Sequence, residues 1–365
     1  MTSALCSRVI VKHRHCLRCL YSTDPQDTVG PPTKAWRYVL NKFTNFVTKY
    51  ENKLENKSPK AFKVYKTMKS VRYVTSDMKD YVSVSKDMWS GRELHTFSRR
   101  ELEIYQEFPK DITKIVTLLF LAAIPFIGNG FIVIGYMYPR LFFTHHLWNE
   151  EQKVEFGQYF HKHKLSHYHN LLEHFDKQVE RHTDGQTQEQ LRIILDEIAC
   201  SSHPTVDELL QVKTQFESFP FSVDDVPTVY FRHLALVCNF SKRRAQLKQD
   251  GLILLHIDRA MMREGIENLT EYEMCKSCLK RGLNPYGITR EERIKFLQMW
   301  TELSQQLDEK NVSLLLHCPV FLTYNSATNI QLMKGKKYKW HRKRGGLKLR
   351  KILSSKVKKK DGDKV

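Results

Sequence analysis

Between Lys114 and Arg140 the chain reads IVTLLFLAAIPFIGNGFIVIGYMYP, twenty-five residues without a charge. As a helix this run extends about 37 Å at 1.5 Å per residue, against roughly 30 Å of hydrocarbon in a bilayer. Such a run belongs in a membrane or in the interior of a large soluble domain. Its length favours the membrane, and a transmembrane helix over residues 113–139 is expected. Pro125 and the Gly128-Asn129-Gly130 cluster fall mid-run. Proline removes a backbone donor and crowds the preceding turn, so a kink is expected at Pro125, with neighbours satisfying the freed groups. Tyr136, Tyr138 and Trp148 lie at or beyond the far end, where amphipathic rings favour the interface.

Charge is distributed unevenly along the 365 residues. The net formal charge is +19, and Lys334 to Lys360 alone holds fourteen Lys or Arg and no acid. Lys336, Lys337, Lys339, Arg342, Lys343 and Arg344 lie in this tail beside Tyr338 and Trp340. That mixture suits phosphate binding with stacking, an anionic membrane surface, or a solvated disordered tail over residues 331–365. At the other end, residues 1–24 carry Arg8, Lys12, Arg14 and Arg18 with no acid before Asp24. Leu5, Val9, Cys16 and Leu20 share one helical face, with Arg8, Arg14 and Arg18 across from it. An amphipathic, Arg-bearing start is what a mitochondrial presequence needs, so a presequence over residues 1–24 is expected ahead of a disordered basic terminus. The eight cysteines are irregularly spaced in a large chain, so reduced thiols are expected rather than a disulfide scaffold.

The remainder reads as all-α. Trp36, Val39, Leu40, Phe43, Phe46, Val47 and Tyr50 recur at helical spacing within an N-terminal helical segment, residues 25–112. Ser98 with Glu101 and Thr205 with Glu208 form capping-box patterns. FGQYFHKHKLSHYHNLLEHF reads as one helix, and its pair His163 and His167 has the i,i+4 spacing of a metal pair. A polar helix face near lipid headgroups is the favoured reading of that pair, because His pairs are common without a metal. VPTVYFRHLALVCNF and the buried-looking VSLLLHCPVFL are further helices. No phosphate-binding glycine loop, HExxH motif, strand series or repeat is present, so no enzyme, metal or cofactor is expected.

The segment CKSCLKRGLNPYGITREERIKFLQMW, from Cys275 to Trp300, opens on a Cys-x-x-Cys pair. Thr270 and Glu273 cap a helix starting near Glu271, Gly282 stands at its expected C-terminus, and Thr289 with Glu292 caps the next. Cys275 and Cys278 then share a helix face with Tyr272 and Leu279. Core packing is favoured, ahead of a metal site that needs two more ligands or a redox pair that needs a strand before it. Lys280, Arg281, Arg290, Arg293 and Lys295 form a basic rim around the turn. It is a candidate for contact with RNA phosphate or acidic protein, unless it is simply a solvated charged face.

This segment resembles the core of the LETM (leucine-zipper, EF-hand, transmembrane) family. The resemblance rests on Glu264-Gly265, Leu269-Thr270, Cys278, Arg281-Gly282-Leu283, Gly287-Ile288-Thr289 and Trp300, with FSRRELEIYQEF and YPRLF similar to the family's membrane region. It covers roughly residues 70 to 325. The resemblance implies a mitochondrial inner-membrane protein with one span and a helical, ribosome-binding-like domain over residues 140–330. It also implies partners among mitochondrial ribosomes, nascent membrane proteins or inner-membrane assembly factors, and roles in respiratory-chain biogenesis and mitochondrial structure. A homo-oligomer and a cation/proton exchange system are the further possibilities. The EF-hand loop and long heptads of the family's long members are missing, and the chain is most like its short members. Arg99, Arg100, Lys110 and Lys114 outnumber Arg140 and Lys153 across the run, which would put its N-terminal side in the matrix. The family places the C-terminal domain there instead, and long domains weaken the count, so a matrix-facing C-terminal domain is expected.

Overall fold

The computed structural model describes residues 71–122, 135, 137–183, 185–238 and 243–333, and among them every regular element is a helix. The presequence, the helix expected over 36–50, Pro125 and the basic tail from Lys334 onward lie outside the described residues. The chain divides into two compact units, residues 1–153 and 154–365.

The first unit is built on α1 (Val71–Trp89) and α2 (Arg99–Ala122), followed by the short α3 (Pro139–Phe142). One-turn 3-10 helices occupy Leu94–Thr96 and His145–Leu147. The expected capping box starts α2: Ser98 N donates to Glu101 at 2.8 Å, and Glu101 N donates to Ser98 Oγ at 3.3 Å. Ile104, Phe108 and Ile112 recur every fourth residue along α2, so one stripe meets Met78 and Tyr81 of α1. The Tyr81 and Phe108 rings stand 5.1 Å apart. Phe97, in the connection, is wholly buried under the Arg92 guanidinium, 4.1 Å from its ring centroid.

No break in the helix marks residue 113, where the membrane run was expected to start. Residues 113–122 are the last turns of a helix that begins at Arg99, and Pro109 sits inside it. At the far end, Tyr138 has left helical geometry (φ −122°, ψ 60°) before α3 starts at Pro139. Among the described residues no helix is long and apolar enough to cross a membrane; residues 123–134 are not among them. Asp111, before the uncharged run, lies 3.2 Å from His145, after it, so the one straight crossing expected over 113–139 does not fit this arrangement.

The second unit takes in most of α4 (Glu150–Leu165), then α5 (Tyr168–His182), α6 (Gly185–Ala199), α7 (Val206–Gln211) and α8 (Thr228–Cys238). It continues with α9 (Arg244–Glu264), α10 (Glu271–Lys280), α11 (Arg290–Gln305), α12 (Val312–Thr323) and α13 (Ala327–Leu332). FGQYFHKHKLSHYHNLLEHF is therefore two helices, α4 and α5, broken at Ser166-His167. Residues 331 and 332, counted with the tail in the sequence, close α13.

The core of this unit gathers α5, α8, α9, α11 and α12 around Phe175, Phe216, Phe221, Tyr230, Phe321 and Trp300. All of α12 is buried, as the apolar VSLLLHCPVFL requires. His317 on this helix is held in one tautomer. Its Nδ1 lies 2.6 Å from the Ser313 carbonyl, which only accepts, so Nδ1 carries the hydrogen. The other nitrogen, Nε2, then accepts from the Tyr230 hydroxyl at 2.7 Å. Burial pushes the His317 pKa down to about 4.

Candidate functional site

The helix–turn–helix formed by α10, Arg281–Thr289 and α11 holds the residues singled out in the sequence. Both capping boxes are present: Thr270 N donates to Glu273 at 3.0 Å, and Thr289 N donates to Glu292 at 2.8 Å. Gly282 ends α10 with a φ of +94°, in the left-handed region. Leu283 N returns to the Cys278 carbonyl at 3.0 Å and Gly282 N to that of Leu279 at 3.4 Å, the bond pair of a Schellman ending.

Arg281 does not join a basic rim. Its side chain is 1 % exposed and lies across the domain core. Nε donates to Asp258 Oδ1 at 3.0 Å, Nη2 donates to the same oxygen, and Nη1 donates to the Ser277 carbonyl at 2.9 Å. Trp300 Nε1 donates to the other carboxylate oxygen, Oδ2, at 2.9 Å. The Arg and Trp of the sequence core thus meet on one buried carboxylate supplied by α9. An ion pair in this position must be fully hydrogen-bonded to survive desolvation, and Asp258 receives donors on both oxygens.

The other cations of the expected rim are also corrected in part. Arg293 is buried and donates to Glu271, to Cys275 Sγ at 3.0 Å and, through Nε, to the Thr289 carbonyl at 3.2 Å. Arg290 donates to the carbonyls of Glu267 (3.0 Å) and Leu269 (2.9 Å), closing the loop before α10. Lys280 is half-buried, and Lys295 alone of the five is exposed. Glu264, Glu267, Glu291 and Glu292 stand exposed in the same stretch, so its surface is mixed rather than basic.

Cys275 and Cys278 are both buried and free. Burial raises both thiols, Cys278 to about 12, which keeps them protonated near neutral pH. Tyr272, expected on their face, is exposed instead.

The turn itself is held by Asn329 of α13. Its Nδ2 donates to the carbonyls of Gly282 and Thr323, each at 2.9 Å. Its Oδ1 accepts from Asn284 N at 2.9 Å and faces His161 Nε2 at 2.9 Å. Two carbonyls fix which end of the amide is nitrogen, so His161 must donate from Nε2. Burial then lowers the His161 pKa to about 3. A Cβ at Gly282 would come within 2.5 Å of Tyr168 Oη and 2.9 Å of Pro319 Cβ. Gly265 and Gly287 also take positive φ, +88° and +94°, and Leu283 packs among Met261, Met274, Cys278 and Leu297.

The helix break separates His163 from His167. Their rings remain 5.2 Å apart, and His167 Nδ1 approaches His233 Nδ1 of α8 at 3.2 Å. Sequence reasoning missed Asp258 and Asn329. The first leaves a trace: it is a lone carboxylate in the otherwise apolar buried stripe Leu247, Gly251, Leu254, Leu255, Met261.

The central turn of this all-helical domain is tied to its neighbours by a buried Arg–Asp–Trp triad, and the domain carries the motif order read from the sequence. The family model described as LETM1-like, RBD matches residues 97–321, and the chain belongs to that family. The chain is similar to LETM1 domain-containing protein 1 of Xenopus tropicalis, 26% identical over 326 residues, covering 87% of this chain and 93% of that one. The Bos taurus protein of the same name is 26% identical over 296 residues, 79% of this chain and 82% of the relative. A mitochondrial proton/calcium exchanger protein of Drosophila melanogaster is 22% identical over 263 residues, 69% of this chain but 26% of that longer protein. No solved structure matches the chain.

Proposed function

We propose that the chain is a mitochondrial inner-membrane protein whose uncharged run enters and leaves the bilayer on one side, as the 3.2 Å approach of Asp111 before it to His145 after it requires, and whose helical domain faces the matrix and holds ribosomes or newly made membrane proteins near the bilayer. It acts as a binding protein, without catalysis, in respiratory-chain biogenesis and mitochondrial structure. Membership of the LETM1-like family and the mitochondrial name of one relative support the compartment. The observation that carries the membrane reading is the exposure of apolar side chains toward the two ends of the uncharged run and just beyond it. Phe120 is 73% exposed, and Met137, Tyr138 and Leu141 are each more than half exposed. Water penalises such a set and lipid does not.

With Arg281 and Arg293 buried, the anionic contact in this reading is assigned to the tail from Lys334 to Lys360, where the sequence concentrates fourteen cations. Phosphate contacts made by such a tail release counterions, so binding weakens as salt rises. The test is cosedimentation of the full chain with mitochondrial ribosomes at rising salt, beside a chain ending at Met333. Salt-sensitive binding that the truncation loses is the expected result; salt-insensitive binding retained by the truncated chain would count against it. Matrix orientation is checked by protease protection in mitoplasts.

A transport reading rests on the exchanger name of the Drosophila relative. The uncharged run offers no charged side chain of the kind that lines ion paths. Proteoliposome flux that requires Pro125 would favour it.

A further inference from the structure

We propose that Asp111, His145 and His146 form a binding site for a divalent transition-metal ion of the zinc class, with Asp77 positioning His146. The four side chains come from α1, α2 and the 3-10 turn at His145–Leu147, all within the first unit. One ligand atom from each of Asp111, His145 and His146 lies within 4.8 Å of the others. His145 Nδ1 stands 3.2 Å from Asp111 Oδ2, and the two imidazole centroids are 3.8 Å apart. Ligand atoms around a tetrahedral zinc at about 2.0–2.1 Å stand about 3.3–3.4 Å from one another, so a small closure of the side chains completes the site.

Asp77 is arranged as an orienting carboxylate. Its Oδ2 lies 3.1 Å from His146 Nε2, an approach that a turn of the ring would align into a hydrogen bond, while its Oδ1 is engaged by Arg100 at 3.3 Å. A carboxylate behind a ligating imidazole fixes its tautomer and leaves the other nitrogen for the metal. All four side chains are one-quarter exposed or less, so the arrangement is sheltered yet reachable. Thr144, next to His145, is also buried, and its hydroxyl has no partner among the described residues.

The donor set decides the ion. Two imidazoles and a carboxylate match zinc and its neighbours, whereas calcium and magnesium take oxygen ligands. Three protein ligands leave one coordination position open to water or to a partner's side chain. Two His–Asp polar contacts fastening the turn to α1 and α2 are the alternative. They need no metal, and they differ in what an added ion does.

The test uses the full chain in detergent, stripped with chelator and titrated with cobalt(II), then zinc(II). One equivalent of cobalt giving visible d–d bands that zinc displaces is expected. His145→Gln and Asp111→Asn lose that equivalent, and Asp77→Asn weakens it about 10–100-fold. Other histidines bind metal loosely, so the readout is the difference between wild type and variant. Should the variants misfold, acylation of histidines in the unmodified chain decides instead. Stoichiometric zinc then protects His145 and His146 while exposed His163 stays reactive. Equal cobalt uptake by wild type and folded variants, or no zinc protection of His145 and His146, overturns the proposal and leaves the polar contacts.

Discussion

The indole Nε1 of Trp300 donates to Oδ2 of Asp258 at 2.9 Å across 42 positions of sequence, while Arg281 occupies the other oxygen of the same carboxylate. Each of the three side chains is wholly buried. Removing either donor strips the buried carboxylate of one of its hydrogen bonds, and removing Arg281 also leaves its charge unneutralised. Arg281→Ala is therefore expected to destabilise the domain by about 3–5 kcal/mol, and Trp300→Phe by about 1–3 kcal/mol. Replacing Asp258 and Arg281 together with Leu and Met costs less than the sum of the two single changes, because no orphaned charge remains. Denaturant unfolding followed by circular dichroism checks the non-additivity, and additive losses would refute the coupling.

Gly282 combines a φ of +94° with contacts that leave no room for a methyl group, 2.5 Å from Tyr168 Oη. Gly282→Ala is expected to cost about 2–5 kcal/mol from backbone strain and overpacking together. Adding Tyr168→Phe removes the oxygen but not the φ, so it recovers part of the loss. Full recovery would show that the clash alone set the cost. Thermal melts of the three variants separate these outcomes.

What could be read in advance follows from what is local. Thr270 with Glu273 and Thr289 with Glu292 cap helices across three residues, and both boxes formed as their spacing indicated. The buried α12 was legible because twelve apolar-rich residues leave no polar face. The break at Ser166-His167 was not, since no glycine or proline marks it. Arg281 looked like a surface cation because arginine is seldom buried, and its burial depends on a carboxylate 23 positions away. Asn329 escaped for the same reason: the backbone it satisfies, at Gly282 and Asn284, is brought to it only by the tertiary fold.

Cys200 is exposed, whereas Cys238, Cys275, Cys278 and Cys318 are buried. Burial raises the four buried thiols, Cys238 and Cys278 to about 12, so little thiolate forms at neutral pH. Iodoacetamide should label Cys200 in the native chain at rates near those of an unfolded peptide, and the other four only after denaturation. Mass spectrometry of tryptic peptides reads this directly. Rapid native labelling of Cys278 would mean that α10 opens far more readily than its packing implies.

Two of the buried histidines, His161 and His317, give the domain a defined acid limb. In the unfolded chain each titrates near 6.5. In the folded domain burial lowers His161 to about 3 and His317 to about 4. Between those values the unfolded state binds more protons, so stability falls as pH drops from about 6.5 toward 4 and is insensitive to these groups above that range. Each contributes a slope of at most about 1.4 kcal/mol per pH unit. His317 faces Tyr230, the Ser313 carbonyl and the rings of Phe175, Phe216 and Phe321, with no carboxylate to receive a charge. Protonation would also turn Nε2 into a second donor against the Tyr230 hydroxyl. His317→Gln keeps a polar group at the site without a titrating proton. Its stability should fall less steeply between pH 6.5 and 4 than that of the wild type. Denaturant midpoints measured across that range test this, and parallel pH slopes for the two proteins would rule His317 out as a source of the acid limb.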